Sequence, residues 1–186
     1  MNEELFEPLD NDKFRNYFEA VSAGTCGPTV IAVMTKRPVA EILASWFTPA
    51  KKKFLDATNF KGYAPLKEMI VELERYGFKV IRRRGNKSKE FPNPMTDLAI
   101  IRIQWLKGNG KEFFWAEATK HSHYVLMKKL EGVWWVYCNG KGWFEKDSKK
   151  GKKYLKRGYV SSYLEIPNER QYWREFEKLH INGRLV

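Results

Sequence analysis

The stretch GTCGPTVIAVMT, residues 24 to 35, sets one of the chain's two cysteines between glycines and just ahead of a proline. Val30, Ile31, Val33 and Met34 recur at helical spacing. Pro28 suits a first helical turn, and Lys36, Arg37 and Pro38 supply cationic C-terminal residues and a stop. The reading is a short buried helix with Cys26 at its mouth. There the helix dipole favours thiolate, and the Cys26 amide could help to stabilise an oxyanion. Gly24 and Gly27 would let the chain turn sharply and let a substrate carbonyl approach. The plainer use of Cys26 is as a small hydrophobe, because cysteine is often buried and inert.

Working outward, a second helix is expected from about Pro38 to Phe47, with Val39, Ile42, Leu43 and Trp46 on one face. In GYAPLKEMIVELERYGFKV (62 to 80), Leu66, Met69, Ile70 and Leu73 form a helical stripe that Pro65 opens and Gly77 closes as a left-handed cap. From Phe78 the period turns towards strands: FKVIRR, LAIIRIQWL, EFFWAEA, HYVLMKK, VWWVYCN and YVSSYLEI. A polar, helical end is expected from Asn168 to Leu179. Helices first and an antiparallel sheet second make an α+β domain. At 186 residues the chain is long enough for one domain with a proper core, with an acidic lead over 1–15 and a polar tail over 168–186.

Composition excludes several classes. The first residues are acidic and lack an apolar run, and no membrane-length apolar stretch follows, so an intracellular chain without a membrane partner is expected. A compact basic chain also suits a viral source. Cys26 and Cys138 lack CxxC or Cys/His spacing for zinc, so no metal or cofactor is expected and each should be a free thiol. The net charge of +12 is concentrated in KKK (51 to 53), RRRGNKSK (82 to 89) and KDSKKGKKYLKR (146 to 157). Arg82, Arg83, Arg84, Lys149, Lys150, Lys152 and Lys153, read as loop residues, are candidates for binding nucleic acid or another polyanion through phosphate contacts. Trp143, Phe144 and Tyr154 are available for stacking. The plainer use of these runs is solubility.

The apolar runs on either side of Leu130, Glu131 and Gly132 read as a hairpin closed by those three residues. Opposed numbers then total 262, so Val125 faces Tyr137 and His123 faces Asn139. Cross-strand partners start about 5 Å apart at Cβ, so the Asn139 amide could orient the imidazole. His121 would face Lys141 and is given no role, and His180 is expected to be exposed. Alternation turns Cys138 away from Asn139 into the core, where Trp134 and Trp135 are also expected. A histidine oriented by an amide, with a cysteine at a helix N-terminus, is what thiol catalysis needs.

The segments CGPTVIAVMTKRPVAEIL (26 to 43), GYAPLKEMIVELERYGFKV and HYVLMKKLEGVWWVYCNG (123 to 140) resemble the papain-like cysteine peptidases. The resemblance is greatest to the branch that removes double-glycine leader peptides and its uncharacterised relatives. It spans roughly residues 20 to 142 and implies a papain-like α+β fold acting on a peptide or protein substrate. It further implies a nucleophile at Cys26 that forms a thioester, a general acid/base at His123 and an orienting residue at Asn139. The family usually carries an oxyanion glutamine several residues before the cysteine, whereas Gln104 and Gln171 both lie downstream. Ser22, Thr25 and Asn16 are the candidate substitutes. Losing such a donor costs about a hundredfold to a thousandfold in rate. Two other readings stay open: a weak or inactive papain-like domain that binds polyanions, and a thiol acyltransferase or amidase.

Overall fold

A computed structural model describes residues 26–35, 37, 41–42, 65–112, 121–139 and 141–168. The elements in chain order are α1 (Cys26–Thr35), α2 (Leu66–Arg75), β1 (Ile81–Arg84), β2 (Leu98–Trp105), β3 (Ser122–Leu130), β4 (Val133–Cys138), β5 (Gly142–Glu145), α3 (Lys149–Tyr154), a 3-10 turn (Leu155–Arg157) and β6 (Gly158–Glu165). The strands form one antiparallel sheet in the order β1-β6-β2-β3-β4-β5. Helices preceding an antiparallel sheet make the expected α+β architecture.

Strand alternation divides the core in two. Leu98, Ile100, Tyr124, Leu126, Tyr137 and Leu164 face the helices and pack with Val30, Ile31, Met34, Met69 and Leu73. Ala99, Ile101, Ile103, Val125, Met127, Val136 and Cys138 face the other way, under Phe91 and Leu155. α1 is buried from Gly27 to Thr35, as an apolar helix on a sheet should be. Its two buried hydroxyls are satisfied: Thr35 Oγ1 donates to the Ile31 carbonyl at 2.8 Å, and Thr29 Oγ1 accepts from Asn139 Nδ2 at 3.5 Å. α2 begins after Pro65, and Gly77 follows it at φ 84°, as expected.

The second face is closed by the segment between β1 and β2. Phe91 stacks on Tyr154 at 5.8 Å, and Lys146 Nζ donates to Asn93 Oδ1 at 3.0 Å. Under this segment lies a cavity of about 340 Å³ bordered by Arg84, Asn86, Phe91, Asn93 and Tyr163; neither thiol lines it.

Two expectations are corrected. The β3–β4 turn has two residues, not three: Glu131 and Gly132 both take positive φ, 49° and 84°, and Leu130 faces Val133. Paired left-handed residues of this kind match the right-handed twist of a hairpin. Leu126 therefore faces Tyr137, the opposed numbers total 263, and β3 slips one place against β4. The basic runs also leave the loops. Arg82, Arg83 and Arg84 form the exposed edge strand β1, and Lys149, Lys150, Lys152 and Lys153 are exposed on α3, which follows β5 at the opposite edge. The segments 38–40, 43–47, 51–53, 113–118 and 169–179, and His180, lie outside the described residues. Among the described residues no helix is long and apolar enough to cross a membrane, and no cluster of His, Cys, Asp and Glu could hold a metal.

Candidate active site

Cys26 opens α1 and is half-buried. Backbone N–H groups of Tyr124 and Gly27 donate to its thiol, the first reaching across from β3. Burial outweighs these donors and pushes the thiol above its ordinary value. The expected resting thiolate is therefore not formed: withdrawal from water opposes the charge more strongly than the amides favour it.

His123 immediately precedes Tyr124, so alternation gives its ring the sheet face opposite α1. It lies 3.4 Å from Cys138 Sγ through Nε2 and stacks with Trp105 at 6.2 Å between centroids. Burial, and then the positive charge of Lys141, hold the imidazole down to about 4. Asn139 follows Tyr137 onto the α1 face, where its Nδ2 donates to Thr29 Oγ1 at 3.5 Å. The expected cross-strand pairing of His123 with Asn139 is thus not made. The one-residue slip moves them out of register, and the two side chains turn to opposite faces. Chain topology still brings Cys26, the start of β3 and the end of β4 to one end of the sheet.

Cys138 is buried, as expected, and has company that composition alone does not reveal. Tyr154 Oη donates to Cys138 Sγ at 2.9 Å, and the thiol lies 3.2 Å from the Asn139 carbonyl oxygen. Lys141 Nζ stands over the Tyr154 ring at 4.8 Å. Burial raises both the Cys138 thiol and the Tyr154 phenol, which keeps these two groups neutral. Trp134 is buried as expected, whereas Trp135 is only half-buried.

Gln104 is buried on β2 and its Nε2 donates to the His121 carbonyl at 3.2 Å, which fixes the backbone just before His123. Asn16, Ser22 and Thr25 lie outside the described residues. Of the basic candidates, Arg83 is committed to buried Glu165 at 2.8 Å, and Lys150 donates to the Lys141 carbonyl at 3.1 Å. Arg82, Arg84, Lys149, Lys152 and Lys153 make no ion pair among the described residues. Arg102 escaped the sequence reading, although a lone charge inside LAIIRIQWL was the signal to find it. It donates to the Tyr124 hydroxyl, directly across from it.

No family model matches the chain, and no curated protein matches it. Among solved structures, the chain is similar to a double glycine motif protease from an AMS/PCAT transporter in complex with its leader peptide. Identity is 14% over 76% of this chain and 82% of that one, with a TM-score of 0.39. A likeness of that degree decides neither the fold family nor the activity.

Proposed function

We propose that this chain is a cysteine peptidase or related amide-bond hydrolase of papain-like type, with Cys26 as nucleophile, His123 as general acid/base and Asn139 as a positioning residue. The observation that carries the reading is the setting of Cys26: a thiol at the first residue of a buried helix, receiving backbone N–H groups from two separate elements. Such donors favour the charge that develops on sulfur and on a tetrahedral oxyanion.

At rest both partners are neutral, as burial dictates for each. Work at Cys26 requires the His123 ring to cross to the α1 face. Pairing of β3 with β4 ends at Leu126 and Tyr137, whereas His123 stays paired with Ile103 of β2, so the crossing must release that pair as well. Leaving Lys141 removes one of the two causes of the low value and makes the imidazole more basic. It then takes the Cys26 proton as sulfur attacks the scissile carbonyl. It returns that proton to the leaving amine, leaving a thioester that water hydrolyses.

The test is hydrolysis of a fluorogenic peptide library. Cys26→Ala should abolish turnover, and His123→Ala should lower kcat by about a hundredfold or more. Turnover that survives Cys26→Ala sinks the reading. A second reading, a catalytically silent domain that binds polyanions, is favoured by the neutral resting pair and by Lys149, Lys152 and Lys153 on α3, which make no ion pair among the described residues. Affinity for single-stranded DNA that falls with salt, in a protein without hydrolysis, would establish that reading instead.

A further inference from the structure

One row of residues crosses the α1 face of the sheet. Tyr124 on β3 faces Arg102 on β2, Arg102 faces Ser162 on β6, and Ser162 faces Arg84 at the end of β1. Directly opposed residues share a face, so the row leads away from the backbone amide that holds the Cys26 thiol. Its chemistry is unbalanced. On the other face Arg83 is neutralised by Glu165 at 2.8 Å. In the row, neither Arg84 nor Arg102 has a carboxylate partner among the described residues. Arg102 Nη1 makes a long contact, 3.4 Å, with Ser161 Oγ and the guanidinium also serves Tyr124, which leaves donors of the five-donor fork without a partner among the described residues. Glu112 is already held by Lys87 Nζ at 2.8 Å.

The hydroxyl between the two arginines is the second observation. Ser162 is 6% exposed, and its Oγ has no hydrogen-bond partner among the described residues. A buried hydroxyl left unpaired between two arginines that are its cross-strand partners is what an anion site looks like before its anion arrives, because the ligand supplies the missing acceptor.

We propose that Arg102, Ser162 and Arg84 bind a carboxylate of the peptide substrate and so select acidic sequences. The placement rests on Cys26 being the nucleophile. Ser162 is two strands from Tyr124, about 10 Å at the usual spacing, and an extended peptide covers that in about three residues. The carboxylate should therefore sit about three residues from the scissile bond. An acidic side chain and a free C-terminus present the same group, and the assay separates them.

The experiment uses the full chain with Cys26→Ala and fluorescein-labelled ten-residue peptides read by anisotropy. The set comprises one internal Glu with an amidated end, Gln in its place, and Gln with a free C-terminus. The Glu peptide should bind about ten-fold more tightly than the Gln peptide. Arg102→Gln and Ser162→Ala should each erase most of that difference without weakening the Gln peptide, and Arg102→Lys should restore part of it. Tightening by the free C-terminus alone assigns the site to a chain end. Equal binding of all three peptides overturns the proposal, as does a single-stranded oligonucleotide that binds more tightly than the Glu peptide and weakens in the same variants. The Glu preference is read without turnover, so a failed hydrolase assay leaves it decisive. Turnover with no Glu preference removes the carboxylate site and leaves Cys26 standing. Should Arg102→Gln melt early, Ser162→Ala decides.

Discussion

The imidazole of His123 makes the resting state measurable. It is held down to about 4 from an ordinary 6.5, first by burial and then by Lys141. Above pH 6.5 the ring is neutral in both folded and unfolded chains. Between 6.5 and 4 the unfolded chain takes up a proton that the folded protein refuses. Stability present above pH 6.5 is therefore lost as pH falls towards 4, by up to about 3 kcal/mol at full effect. Against a typical domain stability of about 5–15 kcal/mol this is a visible share. Urea melts of wild type and His123→Gln at steps from pH 7 to 4 should show wild type losing about 3 kcal/mol more than the variant. Carboxylate titrations common to both proteins cancel in that comparison. Ring-proton NMR of the folded protein should place the His123 titration near 4. Parallel stability curves, or a ring that titrates at 6.5 or above, would refute the reasoning, the second by indicating that the imidazole already pairs with a thiolate.

Three further outcomes test the packing. Gly132 sits at φ 84° and Glu131 at 49°, so Gly132→Ala should cost about 1 kcal/mol or more while Glu131→Gly changes little or stabilises, as urea melts will show. A Cβ on Gly151 would come within 2.0 Å of the Lys146 carbonyl oxygen, so Gly151→Ala should cost about 1–3 kcal/mol and lower Tm measurably. Glu165, 1% exposed, accepts from Arg83 Nε and from the Met95 amide, each at 2.8 Å. Glu165→Ala should strand that amide, cost about 1–3 kcal/mol in denaturant melts and speed amide exchange at Met95.

α1, α2 and the apolar strands were legible because their signals are local, whereas β5 and the lysine-rich α3 carry no apolar period and were not. The stripe on Leu66, Met69, Ile70 and Leu73, the caps at Pro65 and Gly77, and the alternating runs each follow from one segment's own period. The register of the central hairpin was not, because it hangs on one backbone choice. Glu131 carries a side chain that disfavours positive φ, which made a three-residue loop with a single left-handed glycine the natural reading. Glu131 nonetheless takes φ 49°, and that one torsion turns His123 and Asn139 to opposite faces. The Cys26 mouth was legible from glycine, cysteine and proline in sequence. Its protonation was not, because burial is set by residues far along the chain. The row from Tyr124 to Arg84 is likewise invisible in sequence, since its four members come from four strands joined only by pairing.

The measurement closest to the central claim is covalent labelling with a peptidyl acyloxymethyl ketone, which alkylates the nucleophilic sulfur of thiol hydrolases, followed by peptide mapping. The adduct is expected on Cys26, absent in Cys26→Ala, slowed about ten-fold or more in His123→Ala and unchanged in Cys138→Ala. An adduct on Cys138, or labelling of Cys26 at the same rate with and without His123, would contradict it.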